Sequence, residues 1–298
     1  MVALAHEHGP TDIELLDETI PANLQRTLDA HGGREALVSR HQNIRWSYHE
    51  FGDRVRRLAK SMIDSGLEVG DRVGLWAPNY ADMVASIANE VPSLERSVFF
   101  WSDDWNALAA GTDAISDAEL MARRDSLQPD DPINIQYTSG TTGFPKGATL
   151  THKNILNNGY FTTELQGITH EDRICIPVPF YHCFGMVMGN LGCTSHGATM
   201  VIPSDAFDPT AVLGAVQAER CTSLYGVPTM FIAELGHPDF DTYDLSSLRT
   251  GVMAGSPCPV EVMKQCVDRM NMVDVTICYG MTETSPVSTQ TLPDDSLH

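Results

Sequence analysis

Between positions 137 and 147 the chain reads Tyr-Thr-Ser-Gly-Thr-Thr-Gly-Phe-Pro-Lys-Gly, after a strand candidate, Ile133 to Tyr137, and ahead of a helix opened by Thr151-His152-Lys153-Asn154. A turn this rich in glycine lets backbone N–H groups come close to an anion, and its hydroxyls can donate to phosphoryl oxygens. Lys146 adds a point charge. A bare surface loop uses similar residues, but rarely over eleven consecutive positions between two regular elements. The spacing is not that of a Walker A loop: two residues separate Gly143 from Lys146, and Gly147 follows the lysine where that motif needs Ser or Thr.

The flanking sequence alternates strand and helix signals. Ser47-Tyr48-His49-Glu50 has the form of a capping box, and Phe51, Val55, Leu58, Ala59 and Met62 then recur at helical spacing up to Gly66. Asp71 to Ala77, bounded by Gly70 and Pro78, reads as a buried strand. Ile174 to Pro177, Thr199 to Ile202, Ser223 to Val227 and Val273 to Cys278 are further strand candidates, and Ala211 to Ala218 is helical. The pattern predicts an α/β fold with parallel strands, crossover helices and stacked sheets covered by helices. Residues 103–131 are polar and irregular, with Ser116 to Glu119 capping one short helix. They are expected to connect an N-terminal α/β subdomain, 1–102, to a second α/β subdomain, 132–298.

Charge limits the choice of partners. Against 19 Lys and Arg stand 39 Asp and Glu, a formal charge of -20, which disfavours nucleic acid and anionic membrane surfaces. An anionic ligand must therefore be held by local N–H groups, a cation and a few basic side chains. The seven cysteines, Cys175, Cys183, Cys193, Cys221, Cys258, Cys266 and Cys278, include no C-x-x-C pair and read as reduced thiols; His182-Cys183 lacks a second cluster at zinc-site spacing. Residues 1–30 lack a secretory profile, and polar residues interrupt Gly185 to Pro203, so a cytoplasmic protein without a membrane span is expected.

Four motifs, with a fifth segment beside them, together identify a resemblance. The loop 137–147 is similar to the phosphate-loop signature Y-T-S-G-T-T-G-x-P-K-G of the adenylate-forming superfamily. Tyr279-Gly280-Met281-Thr282-Glu283-Thr284 looks like that family's Y-G-x-T-E motif. Gly251 to Pro257 resembles its Gly-rich adenine turn, although an ordinary strand-to-helix turn needs similar residues. Pro179 to Gly185 resembles the aromatic-His segment lining the carboxylate side of the pocket in acyl-CoA synthetases, and Tyr225 to Met230 resembles an acyl-pocket strand or a plain buried one.

The resemblance implies roles by position. Thr138, Ser139, Gly140, Thr141, Thr142, Gly143 and Lys146 would hold the β- and γ-phosphates of ATP; Gly255, Ser256, Pro257, Tyr279 and Gly280 would line adenine. Thr282 would reach the α-phosphate, Glu283 would hold Mg²⁺, and His182 would face the carboxylate. The implied activity is that of an AMP-forming acid–thiol ligase: a fatty acid and ATP give acyl-AMP and pyrophosphate, and the acyl group passes to CoA. A nucleotide-binding remnant or interaction module, and an adenylating enzyme that loads a carrier protein, are alternatives at this stage. Two departures from the family pattern bear on activity. An internal deletion is expected near Ala81 to Val84, and counterparts of the family's ribose-binding Asp, hinge and small C-terminal domain are not found before His298.

Overall fold

The computed structural model describes residues 13–75, 90–138 and 143–295. Thr19 caps α1 (Ile20–His31), which leads into β1 (Glu35–Ser39), β2 (Ile44–Ser47) and α2 (Tyr48–Asp64). The capping box forms: the Ser47 side chain accepts from the Glu50 N–H, and the Glu50 carboxylate accepts from Ser47 N–H at 2.7 Å. The strand expected from Asp71 does not form over 71–75, where Val73 and Leu75 are exposed, and the rest of that segment lies outside the described residues. A strand exists only with a partner for its backbone groups, and sequence pattern alone does not supply one.

Residues 103–131 are more regular than their composition suggests. They form α3 (Asp103–Ala110) and α4 (Asp117–Asp125), the second with a Ser116/Glu119 capping box. Then β3 (Pro132–Thr138) and β4 (Lys146–Thr151) make an antiparallel hairpin, so the loop returns along a strand before α5 (His152–Glu164) begins. The sequence reading had the loop run directly to that helix. Next come β5 (Arg173–Cys175), a π-helix over Phe184–Leu191 continued by α6 (Gly192–His196), β6 (Thr199–Ile202), α7 (Pro209–Glu219), β7 (Ser223–Gly226) and α8 (Pro228–Leu235). The chain closes with β8 (Thr250–Ala254), α9 (Val260–Met270), β9 (Asp274–Gly280), a 3-10 turn Thr282–Thr284 and β10 (Val287–Gln290).

The α/β expectation holds. One eight-stranded sheet runs β10-β9-β8-β7-β5-β6-β1-β2, parallel from β9 to β1 and antiparallel at both edges. Its central strands are buried on both faces, and the period of two sorts their side chains into two cores. Cys175, Val201, Leu224 and Met253 pack with α7, α8 and α9 through Val212, Phe231 and Met263. Ile174, Met200, Tyr225 and Val252 pack on the other face with Phe184, Met188 and Cys193. Full burial of each large apolar side chain contributes about 1.5–3 kcal/mol, so these layers hold the sheet. Tyr48, fully buried, donates its hydroxyl to Ala198 O at 2.7 Å and ties α2 to the second layer.

Ion pairs made by Arg173, which opens β5, and Arg249, which precedes β8, lie at the end of the sheet remote from the glycine-rich turns. Glu219, its side chain 6% exposed, receives Arg40, Arg45 and Arg173. Asp172 receives Arg249 at 2.9 Å and the Thr222 hydroxyl at 2.6 Å. The opposite, carboxyl ends of the strands are left for the loops, where ligands of open α/β sheets bind.

Candidate active site

Four elements meet at the carboxyl end of β9. The strand ends at Tyr279-Gly280, and the chain then turns through Thr282–Thr284. Only glycine fits at 280, because a Cβ there would stand 1.9 Å from Pro286 O. Met281 N–H donates to Pro286 O at 2.9 Å, and the Thr284 hydroxyl donates to the same carbonyl at 2.7 Å. Asn158 of α5 clamps the return strand: its Oδ1 accepts from Val287 N–H at 3.0 Å and its Nδ2 donates to Val287 O at 2.8 Å. A turn fastened in this way presents Thr282 and Glu283 from a fixed backbone.

The hairpin lies against this turn. On β3 the side chains alternate, and Asn134, Gln136 and Thr138 form the inner set: Asn134 and Gln136 approach Met186 Sδ at 3.8 and 3.9 Å. Thr138 Oγ1 donates to Glu283 Oε1 at 3.2 Å. Lys146 is the cross-strand partner of Thr138, so the lysine, the threonine and the carboxylate share one end of the hairpin.

His182 and Cys183 supply the third part. The His182 Nδ1 accepts from Phe184 N–H at 3.1 Å, which leaves Nε2 to carry the proton of the neutral ring and point it as a donor. His182 is exposed at its outer edge, and partial desolvation of the rest of the ring holds the imidazole below the ordinary histidine value, which favours the neutral form. Behind it the buried Cys183 Sγ lies 3.7 Å from His182 Nδ1 and 3.7 Å from Thr282 Oγ1. Burial pushes that thiol up, and it sits as an apolar filler between the histidine and the turn.

The fourth part is the turn after β8. Gly255 has φ +92°, a conformation costly for a side chain, and Ser256 and Pro257 follow it at the exposed end of the strand. β8 and β9 are parallel neighbours, with Ala254 opposite Cys278, so this turn and Tyr279 emerge beside one another.

The structure thus brings Thr138, Lys146, His182, Thr282 and Glu283 to one region, with Gly255, Ser256, Pro257, Tyr279 and Gly280 at the adjoining strand ends. Gly143 is described, exposed and at φ +93°. Ser139, Gly140, Thr141 and Thr142 lie outside the described residues. Reading by motif missed Asn158, because an asparagine in mid-helix carries no local signal, and gave no role to Cys183, although it stands in the aromatic-His segment. Among the described residues no group of three or more His, Cys, Asp or Glu is placed to hold a metal ion. Among them, too, no helix is long and apolar enough to cross a membrane.

A mixed α/β sheet with glycine-rich turns gathered at its carboxyl end is an architecture suited to holding an anionic ligand. The sequence profile described as AMP-binding enzyme matches residues 24–88 and 89–298, and the chain belongs to that family. It is 42% identical to the putative acyl-CoA synthetase YngI of Bacillus subtilis (strain 168), over 95% of this chain and 64% of that protein. To the mitochondrial medium-chain acyl-CoA ligase ACSF2 of Danio rerio it is 35% identical, over 98% of this chain and 60% of that protein. The chain therefore spans somewhat under two thirds of these relatives. The inhibitor-bound N-terminal domain of FACL13 from Mycobacterium tuberculosis shares the fold, with TM-score 0.69 and 21% identity over 95% of this chain and 80% of that one.

Proposed function

We propose that this chain carries the nucleotide site of an acyl-CoA synthetase, in which ATP activates a fatty acid as acyl-AMP and CoA accepts the acyl group. The observation that carries the reading is the 3.2 Å contact between Thr138 and Glu283, which joins the phosphate-loop and Y-G-x-T-E segments into one site. The family relation to acyl-CoA ligases supports it. A medium- or long-chain fatty acid as substrate, and the cytoplasm as compartment, belong to the same reading; all seven cysteines are free.

The chemistry is substitution at phosphorus, with a carboxylate oxygen attacking the α-phosphorus and pyrophosphate leaving, so the protein's work is positioning and charge neutralisation. Thr138, Gly143 and Lys146, with Ser139, Gly140, Thr141 and Thr142, hold the β- and γ-phosphates. Thr282 donates to the α-phosphate. Tyr279 offers a ring face to adenine above the backbone of Gly255, Ser256 and Pro257, and Gly280 keeps the approach open. His182 directs its Nε2 proton to the substrate carboxylate and fixes its orientation without having to ionise.

One carboxylate is sufficient on the protein side of a Mg²⁺ site whose other ligands are phosphate oxygens and water, so Glu283 beside the Thr138 hydroxyl fits that ion. Bound there, the ion would neutralise charge on the phosphates.

Isothermal titration with Mg·ATP tests the reading, with Lys146→Ala and Glu283→Ala as variants and pyrophosphate release with a fatty acid measured on the same samples. Saturable binding weakened by both substitutions is expected. Binding that neither substitution alters, or a folded chain that does not bind Mg·ATP, overturns it; release that depends on the fatty acid shows the first half-reaction occurring on this chain.

A further inference from the structure

Asn158 and Gly159 are neighbours on α5, and they serve different sides of the site. Asn158 fixes the return strand at Val287, beside the turn that presents Thr282 and Glu283. Gly159 is buried against another element, the π-helix Phe184–Leu191. A Cβ at 159 would stand 2.7 Å from Val187 O, 3.1 Å from Leu191 Cβ and 3.2 Å from Gly192 N. The two helix backbones therefore touch at this point, and a side chain could enter only by moving one of them.

The π-helix has little room to move. A Cβ at Gly185 would meet Pro179 O at 2.4 Å, and one at Gly189 would meet Ile176 at 3.1 Å, so the segment is also pressed against the chain that follows β5. Its wide winding shows at Val187, whose carbonyl accepts from the Gly192 N–H five residues on. Such turns are rare and concentrate at functional sites. What this one holds is His182: Phe184 N–H donates to His182 Nδ1 at 3.1 Å, and Met186 N–H donates to His182 O at 2.9 Å. The ring and the backbone of His182 are thus both fixed by the stretch that rests on Gly159 through Val187.

We propose that Gly159 is a positioning residue for His182. By letting α5 and the π-helix meet backbone to backbone, it sets the carboxylate side of the site from the same helix whose Asn158 sets the phosphate side. This rests on the reading that His182 faces the substrate carboxylate, and its consequence is that substitutions at two adjacent residues should disturb the two sides separately.

The test uses the whole chain with isotope-labelled histidine, the His182 ring signals being assigned with His182→Ala, and octanoyl sulfamoyl-adenosine as a non-reactive acyl-adenylate mimic. Gly159→Ala should shift the His182 ring signals away from the Nε2–H tautomer and weaken the mimic about tenfold, while Mg·ATP affinity changes less than about twofold. Asn158→Ala should weaken Mg·ATP and leave the His182 ring signals unchanged. Gly214→Ala in α7, where a Cβ meets nothing within 4 Å, controls for a methyl group added to a helical glycine and should change neither. In a His182→Ala background Gly159→Ala should cost no further affinity for the mimic, because a positioning residue acts through the group it positions. A folded Gly159→Ala variant with unaltered His182 signals, an equal loss for mimic and Mg·ATP, or full additivity with His182→Ala overturns the proposal. Should Gly159→Ala not fold, Asn158→Ala decides: weaker Mg·ATP with an undisturbed His182 ring upholds separate supports, and a disturbed ring overturns them. A chain that binds neither Mg·ATP nor the mimic overturns the nucleotide-site reading instead, and the ring signals of the free Gly159→Ala variant still decide the positioning.

Discussion

Thr138 and Glu283 are 145 positions apart, and the hydroxyl of the first donates to the carboxylate of the second at 3.2 Å. One stands at the end of β3 in the hairpin and the other in the turn beyond β9, and their contact joins the hairpin to that turn. Thr138→Val, which keeps the shape and removes the donor, is expected to weaken Mg·ATP binding about tenfold, or ~1.4 kcal/mol. Glu283→Gln should weaken it at least as much when magnesium is present and less when it is chelated, a difference that titration in both buffers measures.

Asn158 meets both backbone groups of Val287 and so carries the turn that presents Thr282 and Glu283. Asn158→Ala leaves a half-buried N–H and C=O without partners and is expected to cost about 1–3 kcal/mol in urea unfolding, together with a loss of nucleotide affinity. Asn158→Asp should fail as well, because a carboxylate cannot donate to the Val287 carbonyl.

Two buried acids set opposite limbs of the stability–pH profile. For Asp172, burial raises the carboxyl, but hydrogen bonds from the Thr222 hydroxyl, Thr169 N–H and Arg249 outweigh it and bring it below the ordinary value. Its contribution is present above the unfolded-state value and is lost as pH falls through the lower folded one. Asp172→Asn should therefore destabilise at neutral pH, with a gap to wild type that narrows by about pH 3.

Glu234 of α8 is the reverse case. It is 1% exposed, its Oε2 has no hydrogen-bond partner, and burial drives its carboxyl well above the ordinary value. The folded chain keeps this proton after the unfolded chain has released it, so stability falls as pH rises from the unfolded-state value toward the folded one. Glu234→Gln should remove that decline, seen as a smaller difference in urea midpoint between about pH 5 and about pH 8.

Glu219, the last residue of α7, gathers Arg40, Arg45 and Arg173. Glu219→Ala leaves Arg173, itself 79% covered, beside other guanidinium groups and should cost about 1–3 kcal/mol, allowing for the partial exposure of Arg40 and Arg45. Calorimetry at low and high salt checks it: the loss should shrink as salt screens the exposed partners.

Short-range chemistry was legible before any coordinates. The Ser47/Glu50 and Ser116/Glu119 boxes are built from residues three apart, and β5, β6, β7 and β9 are apolar runs that a doubly covered sheet requires; β8 (Thr250–Ala254), whose residues 251–254 fall in the segment that reads as a glycine-rich turn, was not legible as a strand. The motifs marked candidate segments on the chain through glycine, hydroxyl and carboxylate at fixed spacing, and the structure gathers those segments at the carboxyl end of the sheet. Long-range pairing decided the rest. Whether Asp71 to Ala77 could be a strand depended on a neighbour, and over 71–75 none is made. That the loop would return along β4, that Asn158 would clamp Val287, and that Thr138 would meet Glu283 follow from which segments pack together. Backbone and side-chain hydrogen bonds between distant residues leave no trace in local periodicity, so the sequence specified the parts of the site and the tertiary structure specified their distances.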